Sequence, residues 1–70
     1  MGESISIVVN GDERQVAADL TVAQMLDALA IHRGRVAVER NLQILPRDQW
    51  SDIQVAAGDR YEIVQFVGGG

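Results

Sequence analysis

Apolar residues recur at every second position in Ile5-Ser6-Ile7-Val8-Val9, and this β-branched run predicts a strand. Asn10-Gly11-Asp12 follows at once and predicts a hairpin turn, because asparagine and glycine tolerate positive φ. Arg14-Gln15-Val16-Ala17 is then the returning strand. The pattern changes period after that. Val22, Met25, Leu26 and Leu29 recur at offsets of three and four, with Gln24, Asp27 and Ala28 on the opposite face, which predicts an amphipathic helix. Thr21 and Gln24 have the spacing of a capping box, and Leu20 and Met25 that of a hydrophobic staple. The helix is expected to end near Ile31 to Arg33, with Gly34 in the left-handed position and His32 and Arg33 complementing the helix dipole.

Beyond the helix, Val36-Ala37-Val38-Glu39 reads as a third strand and Asn41-Leu42 as a turn. Gln43-Ile44-Leu45 is a short strand stopped by Pro46, which cannot donate to a ladder. Pro46 to Trp50 reads as one helical turn, with Trp50 a partly buried anchor. Gly58-Asp59 turns the chain into a last strand, Arg60 to Val67. Hairpin, helix, short strands, crossover and final strand together predict an α+β fold, a small mixed sheet with one main helix across one face. That order matches the ubiquitin-like β-grasp, in which the last strand lies in the middle of the sheet, parallel to the first. Residues 1–67 form the expected domain, and residues 68–70 a flexible glycine tail.

Seventy residues are enough for one thin core, which leaves little room for a deep catalytic pocket. The net charge of −4 argues against a nucleic-acid partner, since phosphate binding needs a basic cluster and the six cationic side chains are scattered arginines. No apolar run is long enough to span a bilayer and no secretory pattern opens the chain, so the expected location is the cytoplasm. There is no cysteine, no lysine and one histidine, which removes thiol, Schiff-base and histidine-cluster metal chemistry. His32 is expected to be structural. Asp48, Asp52, Asp59 and Glu62 read as solvated turn and edge charges, with no partner to tune them as acid and base. No catalytic residue, metal site or bound cofactor is expected.

The remaining candidate for chemistry is the main chain itself. The sequence closes on Val67-Gly68-Gly69-Gly70. Glycine has no Cβ, so Gly68 and Gly69 can thread a narrow channel, and three residues reach roughly 10 Å past the last strand. An unhindered Gly70 carboxylate can attack the α-phosphorus of ATP to give an acyl-adenylate, which accepts a sulfur, oxygen or nitrogen nucleophile.

The chain resembles the ThiS family, the ubiquitin-like sulfur carriers of thiamine biosynthesis. The resemblance rests on Val9-Asn10-Gly11, on Thr21-Val22 leading the helix, and on the Ala37-Val38-Glu39 strand. It continues through Leu45-Pro46-Arg47-Asp48-Gln49-Trp50 and Gly58-Asp59 to the closing Gly69-Gly70. It implies a carrier that is not itself an enzyme. An adenylating enzyme of the ubiquitin-activating type would spend ATP on Gly70, a persulfide would supply sulfur, and the thiocarboxylate would serve a thiazole synthase. Gly68 departs from the family pattern, which usually has a larger residue there.

Strand alternation places Tyr61, Ile63, Gln65 and Val67 on one face of the last strand and Glu62, Val64 and Phe66 on the other. Ile5, Ile7 and Val9 should face the helix, leaving Ser4, Ser6 and Val8 outside. Val64 and Phe66, with Glu62 and Val8 beside them, form the expected docking patch next to the tail. Three other readings compete. These are the small subunit of molybdopterin synthase, a covalent protein modifier, and a β-grasp module that binds without using its terminus.

Overall fold

The computed structural model describes residues 2–66. The strands are β1 (Ser4–Val9), β2 (Asp12–Ala17), β3 (Val36–Arg40), β4 (Gln43–Leu45) and β5 (Arg60–Gln65), and the helix is α1 (Val22–Ala28). Short 3₁₀ turns at Arg33–Arg35 and Arg47–Gln49 complete the chain. The sheet order is β2-β1-β5-β3-β4. β5 runs parallel to β1, with Val9 beside Tyr61, and antiparallel to β3, with Val38 beside Ile63. The last strand therefore occupies the centre, as the sequence pattern led us to expect.

One face of this sheet is covered by α1. Ile7, Val9, Val16, Val38, Leu45 and Tyr61 project from the strands against Val22, Met25 and Leu26 of the helix. Capping fixes where α1 begins. Thr21 Oγ1 accepts from the Gln24 amide at 3.2 Å, and Gln24 Oε1 accepts from the Thr21 amide at 2.9 Å. The crossover satisfies the next two amides, with Val22 N donating to the Ile53 carbonyl and Ala23 N to that of Trp50. Leu20 and Met25 both join the core, as a staple should.

The end of α1 differs from the expectation. Its C-cap is Leu29, and the left-handed residue is Ala30, at φ +61°, not Gly34. Ala30 N donates to Asp27 O and Ile31 N to Leu26 O, the paired bonds of a Schellman motif, and Ile31 packs against the core. That apolar contact and two hydrogen bonds offset the strain of a left-handed alanine. His32 and Arg33 consequently lie beyond the last turn. His32 Nδ1 accepts from the Gly34 amide at 3.1 Å and caps the 3₁₀ turn, while Arg33 pairs with Asp27 at 3.2 Å. The structural role expected of His32 holds, by a different contact.

Trp50 is more deeply placed than expected, almost wholly buried, with Nε1 donating to the Leu45 carbonyl at 3.0 Å. Arg47 stacks over its ring, 4.7 Å from the centroid, and donates to the carbonyls of Arg33 and Val36. The Pro-Arg-x-x-Trp segment thus ties the crossover to the loop that leads into β3.

Candidate functional site

The sheet face turned away from α1 has two unlike halves. On β1 and β2, Ser6 Oγ donates to Glu13 Oε2 at 2.8 Å, and Gln15 Nε2 donates to Ser6 Oγ at 3.1 Å. That half is polar and internally satisfied. On β3, β4 and β5 the face is apolar around two carboxylates. Leu42, Ile44, Val64 and Phe66 are 91%, 77%, 60% and 55% exposed, and they are the large hydrophobics left open among the described residues. Val64 stands opposite Ala37, and Ile44 opposite Glu39. Ala37, Ile44 and Val64 border a shallow depression of about 110 Å³ with Glu39 and Glu62.

Of the residues expected to dock a partner, Val64, Phe66 and Glu62 are exposed on this face, and Val8 is half-buried at its border beside Arg60. Phe66 N donates to the Arg35 carbonyl at 2.8 Å, which holds the end of β5 against the loop preceding β3. The candidate residues Gly68, Gly69 and Gly70, and Val67 before them, lie outside the described residues. Leu42 and Ile44 were not anticipated as part of the face. Their place in it depends on the β3–β4 register, which composition does not reveal.

At the opposite end of β5 lies a buried polar cluster. Asp59 was expected to be a solvated turn charge; it is 6% exposed and fully engaged. Its Oδ2 accepts from Tyr61 Oη at 2.8 Å, the Ala56 amide at 2.9 Å and Arg40 Nε at 3.0 Å. Its Oδ1 accepts from Asn41 Nδ2 at 3.2 Å. Burial alone would raise the Asp59 pKa, but these donors outweigh it and hold the carboxyl below its ordinary value. Burial and the neighbouring carboxylate push Tyr61 well above the usual phenol range. Arg40 loses solvation, yet its contacts with Tyr61 and Asp59 raise its pKa. No side-chain polar atom is buried without a partner among the described residues, so the cluster is structural and saturated. It anchors the start of the strand that leads to the tail. No grouping of three potential metal ligands occurs among the described residues.

A five-stranded mixed sheet crossed by one helix, with the last strand central and ending in an apolar exposed face, is the architecture of the ubiquitin-like β-grasp carriers. The comparisons narrow that class. The model of the ThiS family matches residues 6–70, and the chain belongs to this family. The sulfur carrier protein ThiS of Escherichia coli is 35% identical over 66 residues, which are 94% of this chain and 100% of that protein. The crystal structure of the thiamine biosynthesis protein ThiS from Geobacter metallireducens superposes with a TM-score of 0.80 at 35% identity, covering 94% of this chain and 100% of that one. A thiazole synthase of Paramagnetospirillum magneticum is 44% identical over 66 residues; this chain spans only 20% of its length.

Proposed function

We propose that this chain is a sulfur carrier of thiamine biosynthesis, with residues 1–67 as its folded body, residues 68–70 as its arm and the Gly70 carboxylate as its working group. It is acted upon and does not itself catalyse. In the first step a Gly70 carboxylate oxygen attacks the α-phosphorus of ATP on an adenylating enzyme of the ubiquitin-activating type, releasing pyrophosphate. A persulfide then attacks the acyl carbon and expels AMP. A thiol reduces the resulting acyl disulfide and leaves the thiocarboxylate. A thiazole synthase receives the sulfur. All of this belongs to the cytoplasm, and no helix among the described residues is long and apolar enough to cross a membrane.

The observation that carries this reading is the match to the E. coli sulfur carrier along the whole of that protein. The absence of cysteine agrees with it, since no side chain offers a thiol for the cargo. The docking patch of Val64, Phe66, Glu62 and Val8 would seat both partners while glycines at Gly68 and Gly69 enter their channels. The test is pyrophosphate exchange into ATP by the adenylating enzyme. The 70-residue chain should stimulate exchange, and a chain lacking Gly70 should lose at least most of it. Equal stimulation by both would remove Gly70 as the reacting group.

A further inference from the structure

Around the β3–β4 turn the chain departs from its own folding preferences at several adjacent positions. Asn41 and Leu42 are the two central residues of the turn, at φ +52° and +73°, in a geometry that favours glycine at the second position. Leucine, unlike glycine, carries a Cβ that opposes that conformation sterically, and here its side chain is exposed as well. Glu39 and Glu62 stand directly opposite each other across β3 and β5. Like charges in that position repel. Neither carboxylate has an ion-pair or hydrogen-bond partner among the described residues. Leu42, Glu39 and Glu62 border one depression of about 210 Å³, with Arg60, Val8 and Gly11 on its far side. Glu39 and Glu62 also border the smaller depression beside Val64, so the two depressions adjoin. Leu42, Gly11 and Arg60 mark the end of the larger one away from Phe66, with Arg60 about 20 Å along β5 from Phe66.

Local violations that fold stability does not explain are expected where function requires them. We propose that Leu42, Glu39 and Glu62 form a second docking point that takes an arginine or lysine side chain of the thiazole synthase, set in an apolar surround. The argument for a cation is charge complementarity: the two carboxylates outnumber Arg60, the one cation lining the depression among the described residues, and a positive group between them turns a repulsive pair into two attractive ones. Leu42 caps that contact with apolar area and keeps water from it. The choice of the synthase rests on the function proposed above. It is supported by the Paramagnetospirillum thiazole synthase, in which a segment 44% identical to this chain makes up a fifth of the protein. A contact that reaches from Val64 and Phe66 through the carboxylate pair to Leu42 would fix the direction in which the arm leaves the carrier, which the residues beside the tail alone cannot do.

The experiment is calorimetric titration of the 70-residue chain into the thiazole synthase of the same source, at several salt concentrations, with Tm measured for every variant. Glu39→Gln/Glu62→Gln should weaken binding about tenfold and flatten its salt dependence, with Tm unchanged or raised. Leu42→Gly should also weaken binding while raising Tm, a pairing that a merely structural role would not produce. Gln15→Ala, on the polar half of the face, should bind as the wild type does. Wild-type affinity and salt dependence in both the double glutamine and the Leu42→Gly chains would overturn the second docking point and leave only Val64, Phe66 and Val8 as the tail-side contact. With the same variants titrated into the adenylating enzyme as well, a loss found there and not with the synthase would overturn the assignment to the synthase. No binding of the wild-type chain would overturn both this inference and the synthase as partner, while pyrophosphate exchange would still report on Gly70.

Discussion

Asn10-Gly11 and Asn41-Leu42 turn the two hairpins with the same backbone and grip the same strand from opposite sides. In the first, Asn10 Oδ1 accepts from the Ile63 amide at 2.7 Å and Nδ2 donates to the Ile63 carbonyl at 3.1 Å. In the second, Asn41 Oδ1 accepts from the Arg60 amide at 2.9 Å and Nδ2 donates to Asp59. The backbone amides repeat the symmetry, Asn10 N donating to Tyr61 O and Asn41 N to Arg60 O. All four central residues have positive φ. The difference is the second residue. Gly11 suits the turn, whereas Leu42 opposes it and shows its side chain to solvent. The fold explains everything in the first turn and all but one residue in the second. That remainder is what points to a partner.

Several changes would break or sharpen the comparison. The largest effect is expected from Asp59→Ala, which removes the acceptor that ties the second turn to β5 and leaves Arg40, Asn41 and Tyr61 without it. Breaking such a buried pair costs about 3–5 kcal/mol, on the scale of the whole stability of a domain this small, so urea titration should find the variant largely unfolded. Gly11→Leu would give the first turn the residue of the second. Nothing lies within 4 Å of a Cβ built there at φ +87°, so its cost is backbone strain alone, about 1–2 kcal/mol by chemical denaturation. Leu42→Gly should shift the midpoint the other way, by about 1 kcal/mol or less once the entropy of glycine is counted. Glu62→Gln should be the smallest change, a stabilisation of a few tenths of a kcal/mol from relieving Glu39.

The same cluster sets a pH dependence. The Asp59 pKa is lower in the folded chain than its ordinary 3.8, so its contribution is fully present above that value and is lost as pH falls through the folded pKa. The Tyr61 pKa is raised above its ordinary 10.0, so stability is intact below pH 10.0 and declines as pH rises beyond it. Denaturation midpoints followed from acid to alkali should therefore show a plateau with a fall at each end. Tyr61→Phe should remove the alkaline fall, apart from any contribution from arginines at higher pH.

Much of the fold was legible because its signals are local. The Asn-Gly turn, the Thr21–Gln24 capping box and the period-two and period-four apolar runs each lie within a few residues of the element they define. What was not legible depended on contacts between distant residues. The helix ends at Ala30 because Ile31 finds the core, and no local pattern distinguishes that from a stop at Gly34. Asp59 is buried because Arg40 and Asn41, about twenty residues earlier in the chain, meet it across the sheet. Strand alternation sufficed to place Val64, Phe66 and Glu62 on the open face. Ile44 and Leu42 joined them only through the pairing of β3 with β4, and Val8 is less open than its position in the alternation suggested.

The central claim, that Gly70 carries sulfur, is tested most directly by intact mass with C-terminal fragmentation. The chain would be incubated with ATP, the adenylating enzyme and a persulfide donor, beside a chain lacking Gly70. The account predicts exchange of one oxygen for sulfur localised to Gly70, dependent on ATP and absent from the deletion. Fragmentation separates this from oxidation of Met1, Met25 or Trp50, which adds a nearly identical mass. An unchanged Gly70, with an enzyme that converts a known carrier under the same conditions, would contradict the account.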